Sequence, residues 1–96
     1  MARLIIWSPR AADDLEAICE SIAQESEHYA RVFAAKPIRL VEHIAKFPGA
    51  GRVVPEYVGE NLRERVFQSY RIIYRVKPDV VEIVAIVHAG RMLKDI

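Results

Sequence analysis

Arginine gathers in the second half of this 96-residue chain. Its planar fork of donors suits bidentate contact with a carboxylate or a phosphate better than lysine does. Residues 49–96 hold eight Lys/Arg against six Asp/Glu, and six of those eight are Arg52, Arg63, Arg65, Arg71, Arg75 and Arg91. Residues 1–48 hold six against seven. Two of the arginines lie in the alternating stretch Tyr70-Arg71-Ile72-Ile73-Tyr74-Arg75-Val76. On a strand, Tyr70, Ile72, Tyr74 and Val76 fall on one face and Arg71, Ile73, Arg75 and Lys77 on the other. The first face asks for a core. The second carries three cations around one isoleucine and asks for water or an anionic partner. The next run, Val80 to His88, alternates as Val81, Ile83, Ala85, Val87 against Glu82, Val84, Ile86, His88. This places His88 on the face of Arg71 and Arg75. A solvated basic face is the plain alternative.

Composition bounds what these residues can serve. The chain is one domain, 1–96, of ordinary globular composition, 52% hydrophobic and 28% charged. A net charge of +1 does not announce a nucleic-acid binder. Cys19 is the one cysteine, so no intrachain disulfide forms, and a reducing cytoplasm fits. The apolar run at residues 4–7 is too short for a signal sequence or a membrane span. The three His and scattered acids show no metal-ligand spacing, and no cofactor is expected.

The elements that must position the arginines follow in order. Leu4-Ile5-Ile6-Trp7 reads as a strand with Trp7 in the core. Ser8-Pro9 caps and starts a helix whose stripe is Ala12, Leu15, Ile18, Cys19 and Ile22. Asp13, Glu16 and Glu20 line its solvated side. A second helix runs from about Glu27 to Phe47, with Tyr29, Phe33, Leu40, Val41, Ile44 and Phe47 on one face. Pro37 removes one backbone hydrogen bond inside it, yet the periodicity carries through, so one kinked helix is expected rather than two. Pro48-Gly49-Ala50-Gly51 ends it, and residues 52–61 read as a loop. Residues 62–68 form a strand with Arg63, Arg65 and Phe67 on one side and Glu64, Val66 and Gln68 on the other. Pro78-Asp79 separates the last two strands. The tail from Arg91 to Ile96 reads as a final helical turn if it folds. The predicted class is α+β: a strand, a two-helix hairpin and a three-stranded antiparallel meander, with both helices on one sheet face. The opposite face, bearing Arg71, Arg75 and His88, is expected to stand open for a partner.

Six stretches stand out in order: Trp7-Ser8-Pro9-Arg10-Ala11 with Asp14-Leu15, Phe47-Pro48-Gly49-Ala50-Gly51-Arg52, Arg63-Glu64, Tyr70 to Val76, Val81-Glu82-Ile83-Val84 and His88-Ala89-Gly90-Arg91. On these the chain resembles the RelE/ParE superfamily of bacterial toxins from type II toxin–antitoxin systems. The resemblance spans nearly the whole chain in the same order, with Pro37 as a departure. It implies a small toxin neutralised by a cognate antitoxin that folds around it and meets its arginines with carboxylates.

The superfamily divides by target, and the resemblance leaves both targets open. RelE-like members cut mRNA on the ribosome; ParE-like members poison DNA gyrase. Attack by a 2′-oxygen needs charge stabilisation and proton transfer. If the chain is a nuclease, Arg71 would hold the scissile phosphate, His88 would act as acid or base, and Arg91 would assist. A charge of +1 is low for gripping mRNA, and the Tyr-Arg-Ile-Ile-Tyr and His-Ala-Gly-Arg signatures look closer to ParE. The expected function is therefore gyrase inhibition without catalysis. Arg63, Arg65, Arg71, Arg75 and Arg91 would contact target or antitoxin. The alternatives are a ribosome-dependent endoribonuclease or a degenerate toxin that only binds its antitoxin.

Overall fold

The computed structural model describes residues 2–94. Strand β1 (Leu4–Trp7) leads into helices α1 (Pro9–Ala23) and α2 (Glu27–Lys46), then β2 (Arg52–Val53), β3 (Leu62–Phe67), β4 (Tyr70–Val76) and β5 (Val80–His88). Single 3-10 turns at Pro48–Ala50 and Pro55–Tyr57 flank β2. The sheet order is β1-β5-β4-β3-β2, with β1 parallel to β5 and the other pairs antiparallel. The α+β arrangement matches the sequence expectation, with β1 joining the meander's edge. Residues 52–61 are not wholly loop, because β2 pairs with β3 through Arg52↔Glu64 and Val53↔Arg63.

Local chemistry explains the helices. Ser8 caps α1 by accepting from the Ala11 N–H at 3.0 Å, and Pro9 follows at the first helical position. Ser26 caps α2 the same way through the Tyr29 N–H. Helix α2 runs unbroken through Pro37, whose ring is buried with Ala30, Phe33, Val41, Ile44 and Ala45. The missing hydrogen bond is offset by packing of that stripe against the sheet. Two stripe assignments shift by one residue. Ala11 rather than Ala12 is buried on α1, and Ala30 rather than Tyr29 on α2. The main core lies between helices and sheet: Val41 and Ile44 meet Ile72, Tyr74, Val81, Ile83 and Ile86, with Trp7 and Tyr70 at its margin.

A bulge in β5 corrects the expected alternation. Ile73 pairs with Ala85 but Tyr74 pairs with Ile83, so Val84 is an extra residue. Val84 and Ala85 both join the far-side cluster, and Ile86 returns to the helix side. His88 therefore stands on the helix side, its ring edge-on to Tyr70 at 5.8 Å, and not beside Arg71 and Arg75. The bulge is held by the start of α1. The Ser8 hydroxyl donates to the Val84 carbonyl at 2.9 Å, and Asp14 accepts from the Ile86 N–H at 2.9 Å. Two backbone groups that the bulge takes out of the ladder are thus satisfied by side chains.

The far face is also not open throughout. The 3-10 turn at Pro55–Tyr57 and the C-terminal tail cover its upper part. Val54, Leu62, Ile73, Val84, Ala85 and Leu93 form a second cluster there, flanked by Tyr57 and Val87. Residues 92–94 form neither helix nor strand; the tail reading also covered Asp95 and Ile96, which lie outside the described residues. The lower part, where Leu4 and Ile6 of edge strand β1 project, stays exposed.

Candidate functional site

Arg71, expected on an open face, is 6% exposed. Strand β4 directs it under the turn and tail, where all five of its N–H groups find acceptors. Nε gives to Glu64 Oε1 at 3.1 Å. One terminal nitrogen gives to Glu64 Oε1 at 2.8 Å and Glu56 Oε1 at 2.7 Å. The other gives to Glu56 Oε2 at 2.8 Å and to the Arg91 carbonyl at 3.1 Å. Glu64 is buried and also accepts from Arg52 at 2.7 Å. Glu56 Oε2 accepts in addition from the Leu93 N–H at 2.8 Å. Hydrogen bonds from Arg71 hold the Glu56 carboxyl down to about 2. Reciprocal bonds, first to Glu56 and then to Glu64, push Arg71 above its ordinary range. This guanidinium stays charged and already paired.

A second fixed point is Tyr74, buried at the centre of β4. Its hydroxyl donates to the Pro48 carbonyl at 2.7 Å and accepts from the Gly51 N–H at 3.0 Å. Burial raises its pKa. Gly51 is needed for close approach. A Cβ there would lie 2.2 Å from the Tyr74 hydroxyl and 2.8 Å from the Glu64 carbonyl. The Pro48-Gly49-Ala50-Gly51 segment is thus pinned against the sheet, and Arg63 adds a bond to the Gly51 carbonyl at 2.8 Å.

The remaining sequence candidates scatter. Arg65 reaches His43 Nδ1 of α2 at 3.2 Å. Arg75 pairs with Glu82 at 3.2 Å on the far face, and Lys77 approaches the same carboxylate at 3.6 Å. Among the described residues, His88 and Arg91 share a cavity. It is a cleft of about 790 Å³ between α1, the ends of β4 and β5, and the tail. Arg10 and Asp14 line its α1 wall, Tyr70 and His88 its floor, and Arg91, Met92 and Lys94 its tail wall. His88 is exposed, and its Nδ1 accepts from the Gly90 N–H at 3.2 Å, which leaves the ring proton on Nε2. Arg10 donates to the Lys94 carbonyl, tying α1 to the tail. Arg71 lies behind this cleft and touches it only through the Arg91 backbone. Cations around an aromatic and an exposed methionine fit an anionic, partly apolar surface.

Sequence reasoning named Arg10 and Tyr70 in motifs without making them site residues, and passed over Glu56 and Lys94. The signal for Glu64 was present, since its alternation puts it off the helix side, as Arg71 also is. Among the described residues, no group of three or more His, Cys, Asp or Glu could hold a metal ion. No helix among them is long and apolar enough to cross a membrane.

Comparison with known proteins adds a family match and two levels of similarity. Residues 5–93 match the family described as the ParE toxin of the type II toxin-antitoxin system parDE. Toxin RelE2 of Caulobacter vibrioides is 33% identical over 88 residues, covering 92% of this chain and 97% of that protein. Among solved structures, the chromosomal ParDE system from P. aeruginosa superposes with a TM-score of 0.77 at 18% identity, over 93% of this chain and 98% of that one. The toxin–antitoxin complex RelBE2 from Mycobacterium tuberculosis gives a TM-score of 0.67 at 15% identity, over 92% and 99%. At those identities the two structures speak for the fold.

Proposed function

Since the chain belongs to the ParE toxin family of type II toxin–antitoxin systems, within the RelE/ParE superfamily, we propose that it is neutralised by a cognate antitoxin and inhibits DNA gyrase by binding it. The observation that carries the non-catalytic reading is the position of Arg71. Cleavage through a 2′-oxygen asks for a cation on the phosphate and an acid or base converging on one point. Arg71 is buried with every N–H engaged, and His88 is on the other side of the sheet. Binding a protein machine asks only for an exposed surface of fitting chemistry. The cleft wall of Arg10, Arg91 and Lys94 beside exposed Met92 is such a surface. Of the five arginines expected to make contacts, Arg91 suits that role best; Arg63, Arg65 and Arg75 are engaged elsewhere.

Two observations favour a second reading as a ribosome-dependent endoribonuclease. His88 and Arg91 lie in one cleft, and the 33% identical relative is named RelE2. The antitoxin reading draws on the family and on the structural neighbours, which belong to toxin–antitoxin systems. Exposed Leu4 and Ile6 give an antitoxin segment apolar surface to cover.

The test expresses the chain in bacteria without antitoxin, follows mRNA by primer extension, and assays gyrase supercoiling with purified protein. The expected result is blocked supercoiling, with mRNA intact in the parent and in a folded His88→Ala variant alike. Codon-spaced cuts that vanish in His88→Ala would establish the nuclease instead. Unimpaired growth with soluble toxin would leave the degenerate toxin.

A further inference from the structure

We propose that the pair of buried Arg71 and partly buried Glu56 is a latch for the C-terminal strap, residues 91–94, so that both residues serve the cleft by positioning Arg91 and Lys94. This rests on the reading of the cleft as the target-facing surface.

The strap has no regular secondary structure of its own, and side chains from three other elements hold its backbone. Arg71 of β4 takes the Arg91 carbonyl, Glu56 of the 3-10 turn takes the Leu93 N–H, and Arg10 of α1 takes the Lys94 carbonyl. Leu93 fills the far-side cluster at 3% exposure, while Met92 next to it is 69% exposed. Residue 93 therefore anchors inward, while Arg91, Met92 and Lys94 reach the cleft wall.

Charge balance shows why Glu56 belongs to the strap rather than to the sheet. Glu64 remains a counter-ion for Arg71 without Glu56, since it lies on the neighbouring strand and makes two bonds to it, and the other arginine it meets, Arg52, is exposed to water. Glu56 adds a second carboxylate from a different segment, and one of its oxygens is shared between Arg71 and the Leu93 N–H. Remove Glu56 and Arg71 still has its buried counter-ion. The strap, by contrast, loses one of its ties outright, and Arg71 is freed to turn from the Arg91 carbonyl.

The experiment uses the full chain with Glu56→Ala, the double variant Arg91→Ala/Lys94→Ala, and the triple combination. Amide hydrogen exchange reads the strap, and growth arrest at graded induction reads activity without regard to target. Expected for Glu56→Ala is exchange at residues 91–94 faster by about tenfold, with β4 and β5 amides within about twofold of the parent. Growth arrest should weaken by about tenfold, and the triple variant should be no weaker than Arg91→Ala/Lys94→Ala, because a positioning residue has nothing left to position. Unchanged strap exchange would overturn the latch. So would losses that add in the triple variant, or a loosened strap with full growth arrest. If Glu56→Ala is insoluble, Leu93→Ala loosens the same strap from its apolar side and must give the same pattern. Failure of the parent to inhibit gyrase would remove the gyrase reading alone, because neither readout here depends on gyrase.

Discussion

Arg71 looks like a catalytic cation in the sequence and works as a buried structural one in the fold. The alternation of residues 70–76 correctly puts it off the helix side, and the same rule puts Glu64 there too. What a single sequence does not hold is the register that makes them neighbours. That register comes from the tight β3–β4 turn, where Phe67 pairs with Tyr70 and Gln68 adopts a φ of 52°. Truncating Arg71 to Ala leaves buried Glu64 with exposed Arg52 as its remaining charged partner, and the expected cost is about 3 kcal/mol in urea unfolding. Loss of toxicity in that variant would then report unfolding, so a cost under about 1 kcal/mol would be needed to revive a surface role for this arginine. Glu56 gives the pH signature of the cluster. Its carboxyl is held at about 2, below the ordinary 4.5, so it binds its proton less readily folded than unfolded. Its contribution is fully present above about 4.5 and drains away as pH falls toward about 2. The urea midpoint should decline through that window in the parent and decline less in Glu56→Gln. Parallel curves would mean the pair adds nothing. Gly51 was legible only as a helix stop, and its real constraint is the Tyr74 hydroxyl. Gly51→Ala should cost about 1–3 kcal/mol, because either the ring or the Pro48–Ala50 turn must give way. A melting temperature equal to the parent's would contradict that tight approach.

At the scale of elements, the β5 bulge moves more functional chemistry than any single residue. Strict alternation carries His88 to the arginine face; one extra residue at Val84 returns it to the helix side, above Tyr70. Nothing around Val84 marks the bulge, since the strand has no glycine and the apolar run 83–87 is unbroken. The mark lies far away in sequence, in Ser8 and Asp14, whose side chains take the Val84 carbonyl and the Ile86 N–H. In the sequence Asp14 stands out only as part of the Trp7-Ser8-Pro9…Asp14-Leu15 pattern, and its duty toward β5 comes from the fold. Asp14→Ala leaves the Ile86 amide without its partner in a half-buried position. A loss of about 1–3 kcal/mol is expected, with faster exchange at Ile86 than at Ile72 on the neighbouring strand. Equal exchange at both positions would show that water substitutes for the carboxylate and that the bulge holds itself. Helix α2 makes the converse point. Pro37 argues locally for a break, yet the stripe of Ala30, Phe33, Pro37, Val41 and Ile44 keeps the helix whole by burying the ring itself.

The whole molecule presents two unlike surfaces, and each asks for something. The cleft offers cations on a strap, which suits an acidic target. The lower far face offers Leu4 at 71% and Ile6 at 51% exposure on β1, a strand at the sheet's edge with β5 on one side only. An edge strand with apolar side chains and no proline or inward charge is a template for strand pairing. This chain should therefore self-associate when its antitoxin is missing, and the fault should map to β1 rather than to the cleft. Replacing Leu4 and Ile6 with Lys puts charge where the side chains already meet water, so stability should shift by no more than about 0.5 kcal/mol at each site. The association itself should fall away, and the variant should elute as a monomer at concentrations where the parent runs larger. Growth arrest should survive the change, because the cleft lies across the sheet from these residues. Affinity for the antitoxin should drop if its segment covers this face as the proposal holds. A parent that stays monomeric at high concentration would remove the edge from consideration. A lysine variant that binds antitoxin with full affinity would move the neutralising contact to the cleft, where the arginines and not the apolar edge would then do the recognising.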